Sequence, residues 1–123
     1  MSFAQRFAVD LTTDASGDVT GYTPVLTGLL SQIRYVKTDF ANGVTFAITD
    51  EETGQTLWSE AAVNASVTKA PRQATHDTAG AASVRAAAGE AVLEKIALAN
   101  TRVKIVVSLG GNVKTGVIHV VLE

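Results

Sequence analysis

Residues 102–123, RVKIVVSLGGNVKTGVIHVVLE, decide the fold. Two runs rich in β-branched residues flank Gly110, Gly111 and Asn112, an arrangement that predicts two strands joined as a long hairpin. In the first arm Val103, Ile105, Val107 and Leu109 share one parity and therefore one strand face. The second arm, 117–122, is apolar on both faces apart from His119, as befits a strand inside a sheet rather than at its edge.

The same period of two recurs upstream. From Phe3 to Leu11 the odd positions read Phe3, Gln5, Phe7, Val9 and Leu11, the pattern of a strand with one buried face. TTDASGDVTGY, 12–22, stops it with residues that favour turns. LLSQIRYVK, 29–37, puts Leu29, Ile33 and Tyr35 on one face against Gln32 and Arg34. VTFAITD, 44–50, alternates Val44, Phe46 and Ile48 with Thr45, Ala47 and Thr49, and EETGQTLW opens a partner strand through Leu57 and Trp58 to make a hairpin.

The run 82–98 is ambiguous between helix and strand. Its alanines favour helix, with Val84, Ala88, Ala91 and Lys95 near helical spacing, but Gly89 in mid-run costs a helix about 1 kcal/mol against Ala. The shared parity of Val92, Ile96 and Leu98 assigns 91–98 to a strand. The expected fold is all-β: a single-domain (1–123) antiparallel β-sandwich or jelly roll with one long irregular loop at about 61–89. Its predicted core contains Phe7, Val9, Ile33, Tyr35, Phe46, Ile48, Ile105, Val107 and one of Val120 and Val121.

Composition narrows the function classes. A chain of 123 residues with 46% hydrophobic and 18% charged residues can bury a core of its own. Its formal charge of -2 supplies no field for a polyanion, so direct nucleic-acid binding is not expected. The absence of cysteine removes disulfides, thiolate nucleophiles and Cys-ligated zinc together. No segment approaches the apolar run of about 18 residues that a membrane helix needs, and MSFAQRFAVDL has no apolar signal core, so neither anchoring nor export is expected.

The residues that suggest chemistry each meet a simpler explanation. His76 and Asp77 are adjacent, so on an extended chain they point apart and cannot orient one another as in a Ser-His-Asp arrangement. His119 stands alone in an apolar strand, and two distant histidines do not make a zinc site. Asp14 to Asp18, DASGD, has the composition of a calcium loop without its spaced ligands, and reads as a hairpin turn. Asp50, Glu51 and Glu52 crowd three carboxylates into a turn expected to be solvated rather than catalytic. Gly110 and Gly111 lack the following helix of a phosphate loop. No cofactor, metal site or enzymatic activity is expected.

Three stretches, GYTPVLTGLLSQIRYVKTDFANGVTFAITDEETGQTLW, VNASVTKAPRQATHDTAG and LANTRVKIVVSLGGNVKTGVIHVVLE, resemble small virion structural proteins of tailed bacteriophages, in size and strand pattern the capsid decoration or cement proteins. The likeness runs from about residue 20 to the C-terminus and includes no catalytic motif. It implies a protein made in the bacterial host cytoplasm and carried on the virion, at the capsid surface. There, as a homo-dimer or homo-trimer, it would bind the major capsid protein or another virion protein. Tail, baseplate or head-tail connector parts share this context, and a carbohydrate or host-surface binding module is a further alternative. That last class would present exposed aromatics on one face, whereas four Phe, two Tyr and one Trp fall mostly at inward positions. For the contacts, the residues themselves offer TKAPRQATHDTAG, 68–80, as an arm with Lys69, Pro71, Arg72, Gln73 and His76, and the N-terminal segment with Phe3 and Arg6, able to add a strand to a partner's sheet.

Overall fold

The computed structural model describes residues 4–83 and 92–123, which contain ten strands and no helix: β1 (Gln5–Thr12), β2 (Val19–Tyr22), β3 (Leu26–Val36), β4 (Val44–Asp50), β5 (Thr56–Val63), β6 (Val67–Lys69), β7 (Arg72–Ala74), β8 (Leu93–Thr101), β9 (Val103–Ser108) and β10 (Thr115–Leu122). They form two antiparallel sheets. The larger runs β1-β10-β3-β8-β7 with β6 also on β3, and the smaller runs β2-β9-β4-β5. This is the expected all-β sandwich, with the alternating apolar faces of both sheets turned towards each other.

The two C-terminal strands form where expected, but they do not pair with each other. β9 lies between β2 and β4, whereas β10 lies between β1 and β3 in the other sheet. Residues 109–114 therefore cross from one sheet to the other instead of closing a hairpin. The physical reason is that each arm is apolar enough to be a central strand, and both edges of each are taken by other partners. The crossing bends through positive φ at Leu109 (58°), Gly111 (96°) and Val113 (49°). That bend carries Leu109 off the face of Val103, Ile105 and Val107 and leaves it exposed.

The crossing is held by the turn after β1. Thr13, itself buried, receives the Lys114 N–H on its Oγ1 at 2.8 Å and donates that hydroxyl to the Gly111 carbonyl at 2.6 Å. The Gly110 N–H donates to Gly17 O, the Val113 N–H to Asp14 O, and the Ala41 N–H to Gly110 O. A Cβ on Gly110 would lie 2.8 Å from the Thr13 methyl, so only glycine lets these backbones approach.

Further expectations need adjustment. Opposite Val121 and Leu122 the register of β3 jumps from Gln32 to Leu30. One extra residue rephases the strand, so Leu30 turns inward and Leu29 outward. The strand at 91–98 is present as β8; residue 91 and the alternative helical positions 84–91 lie outside the described residues. Within 61–83, expected as irregular loop, the end of β5, then β6, β7 and a bridge between His76 and Ala82 are found. Three-residue strands are too short for periodicity to reveal.

Every predicted core residue is buried or packed against the core; of the pair left open, Val120 belongs to the core and Val121 lies on the outer face. Phe46 is the centre of an aromatic cluster that joins the sheets, 4.7 Å from Tyr35, 5.3 Å from Trp58 and 6.3 Å from Phe40 between ring centroids. Beside it, a Cβ on Gly116 would sit 2.4 Å from the buried Phe40 ring. Gly116→Ala should cost about 1–3 kcal/mol of unfolding free energy through overpacking. Adding Phe40→Leu should return part of it in a double-mutant cycle by urea denaturation. The Tyr35 hydroxyl is buried with no hydrogen-bond partner among the described residues, and burial pushes its pKa up. Tyr35→Phe should leave the urea midpoint equal or higher, by up to about 1–2 kcal/mol in stability; a clear loss would mean that the hydroxyl has a partner.

Candidate interaction surface

The segment 68–80 is part of the sheet rather than a free arm. Strand β6 pairs with Ile33 to Tyr35 of β3, and β8 pairs with Leu26 to Leu30 of the same strand. Between these partners the Ser31 carbonyl receives a hydrogen bond from Arg72 Nη1 at 3.0 Å; the same nitrogen donates to Pro71 O at 2.8 Å. Arg72 thus seals the point where the edge of β3 passes from one neighbour to the next. Lys69 stands opposite Ile33, its ammonium 3.4 Å from Glu60. Gln73 links Gln55 of the β4–β5 turn to Glu94 of β8. His76 is exposed and bridges Ala82 through its backbone. Pro71 is half-buried in the bend between β6 and β7. Of the N-terminal pair, Arg6 is exposed on β1, and Phe3 lies outside the described residues.

The aspartates that suggested chemistry build turns. Asp14 Oδ1 accepts the N–H groups of Ser16 and Asp18, and Asp77 Oδ1 those of Ala79 and Ala81. Each turn closes on a glycine at positive φ, Gly17 or Gly80, whose N–H donates to the aspartate carbonyl. Asp50 departs from the expectation of a solvated turn. It is buried, and its Oδ1 accepts Thr101 Oγ1 at 2.6 Å and the Glu52 N–H at 3.0 Å. This ties the β4–β5 turn to the β8–β9 corner. No group of three or more acidic or histidine side chains among the described residues is placed to hold a metal ion, and no cleft opens among them.

A cluster invisible to the sequence lies nearby. Arg102 holds Glu51 by two hydrogen bonds, from Nε at 2.8 Å and Nη2 at 2.5 Å, while its guanidinium lies 4.1 Å from the centre of the Tyr22 ring. The guanidinium keeps the Glu51 carboxyl below its ordinary pKa, chiefly by this hydrogen bonding. Three residues so far apart in the chain carry no shared pattern.

The outer face of the six-stranded sheet is ordered in rows across β1, β10 and β3: Arg6, Val121, Gln32; then Ala8, His119, Arg34; then Asp10, Val117, Val36. Arg34 donates to Thr68 on β6 at 3.0 Å. His119 sits at the centre with its Nδ1 buried and without a partner among the described residues. The outer face of the smaller sheet is different, with small or hydroxyl-bearing residues such as Thr20, Val106, Ala47 and Ser59 in one row. Comparison with protein-family models, with curated proteins and with solved structures finds no match to this chain.

Burial, first, and the charges of Arg6 and Arg34 lower the pKa of His119, against a smaller opposing effect of Asp10. The unfolded chain takes up this proton near the ordinary histidine value of about 6.5, and the folded chain only at lower pH. Stability is therefore fully present above that value and lost as pH falls through the folded pKa. His119→Gln should flatten the fall of the urea midpoint as pH drops below about 6.5; the wild-type slope persisting in the variant would assign it to other groups.

Proposed function

We propose that this protein is a non-enzymatic structural protein of a tailed-bacteriophage virion, a decoration protein that binds the outer shell and stabilises contacts between major capsid subunits. The observation that carries the reading is that the aspartates and Arg72 that suggested chemistry or contact serve the protein's own architecture. Asp14, Asp50 and Asp77 hold turns, Arg72 completes a sheet edge, and Glu51 and Arg102 hold each other. What remains available is surface: two sheet faces, and the exposed apolar side chains Leu109 and Val113 on the crossing between the sheets. Such a molecule is suited to contact rather than turnover. The virion assignment itself rests on the resemblance of the three quoted stretches.

A ligand that binds only the assembled lattice shifts the equilibrium towards assembly, with no need of cofactor or catalysis. Oligomerisation multiplies a weak contact through avidity. Within this reading the contact does not depend on 68–80 as a detachable arm, since deleting it would remove β6 and β7 from the sheet. Among the described residues Lys69 pairs with Glu60 at the surface, so its charge can be re-used.

Quantitative gel analysis of purified virions tests the proposal. A shell protein should be present in on the order of hundreds of copies per particle, and about six to twelve copies, one closed ring, would move it to the tail or connector. Absence from purified particles would overturn the virion reading altogether.

A further inference from the structure

Among the described residues, β1 presents a long open sheet edge without a break in register. Other described edges are shorter or irregular: β2 has four residues, β6 and β7 three each, β5 has register shifts against β4 and a positive φ at Ala62, and β8 beyond β7 has a positive φ at Asn100. In contrast β1 runs through eight residues in unbroken register with β10, from Gln5↔Leu122 to Thr12↔Thr115. It contains neither Pro nor Lys, and no described strand pairs with its other side. A regular, unpaired edge is a template for another strand.

Its side chains specify which strand. The outward positions read Arg6, Ala8, Asp10, all exposed, and the inward ones Phe7, Val9, Leu11. If a second β1 lies antiparallel with the two-fold axis at Ala8, Arg6 faces the partner's Asp10 and Asp10 the partner's Arg6. Ala8 then meets its own copy at the axis, and Phe7 meets the partner's Val9 on the inner side. Shifting the register by two residues either way destroys both ion pairs, placing Arg6 opposite Ala8 or Thr12. Cross-strand pairs of opposite charge favour a register and like charges oppose it, so the strand is complementary to itself in this alignment. We propose that β1 joins a second copy of this chain in such a pairing, making one continuous twelve-stranded sheet from the two six-stranded ones. An isologous contact of this kind is closed and does not propagate. The inference rests on the strand alone, so its failure and that of the virion reading are separable.

The experiment is sedimentation velocity on the purified full chain over a range of concentrations, with charge-reversed variants whose fold is checked by circular dichroism. Wild type should dimerise. Arg6→Glu and Asp10→Arg, which each turn both ion pairs repulsive, should weaken their homodimers by about tenfold or more. An equimolar mixture of those two variants should recover association, because each supplies the charge that the other needs. The chain has no native cysteine, so Ala8→Cys should form a disulfide-linked dimer under oxidation, whereas Asn112→Cys on the crossing should not. A monomer at all concentrations, or a dimer indifferent to both reversals and not trapped by Ala8→Cys, would overturn the proposal.

Discussion

The chain has to pass from the centre of one sheet to the centre of the other between β9 and β10, and most of the architecture depends on how that passage is held. Each of these strands has a partner on both sides, so the crossing at 109–114 joins the two halves of the sandwich where neither can yield. Thr13 makes this possible by accepting from Lys114 and donating to Gly111 with one buried hydroxyl. The Asp14 turn supplies two more backbone bonds. The turn after the first strand and the crossing before the last one are thereby a single structural unit, which fixes β1 beside β10 and β2 beside β9.

Around this unit the core follows from alternation. Inward residues of both sheets meet at Phe46, whose ring touches aromatic residues from either side. That part was legible, because a period of two with β-branched and aromatic residues signals a strand whatever its neighbours are. Phe7, Val9, Ile33, Tyr35, Ile105 and Val107 all face the core as their parity requires. Parity says nothing about partners, and so the two C-terminal strands read as a hairpin although they lie in different sheets. It also fails across a bulge, where Leu29 and Leu30 exchange faces.

The surface was less legible, for a related reason. Lys69, Arg72 and Gln73 read as parts of a polar arm, but their roles depend on edges that only the fold creates. Arg72 answers a carbonyl left between two neighbours of β3, and Glu51, Arg102 and Tyr22 meet from three separate strands and turns. A turn aspartate and a catalytic aspartate look alike in sequence; the N–H groups around Asp14 and Asp77 distinguish them. On the proposed reading, binding runs through faces, edges and exposed apolar residues.

The account stands on β9 and β10 belonging to opposite sheets, and cross-strand proton contacts by nuclear magnetic resonance test this most directly. Backbone contacts should link Val9 with Ile118 and Ile118 with Tyr35 in one sheet, and Gly21 with Ile105 and Ile105 with Ile48 in the other. Contacts between Ile105 and Gly116 and between Val103 and Ile118, the register that a tight turn at Gly110 and Gly111 would impose, would contradict it.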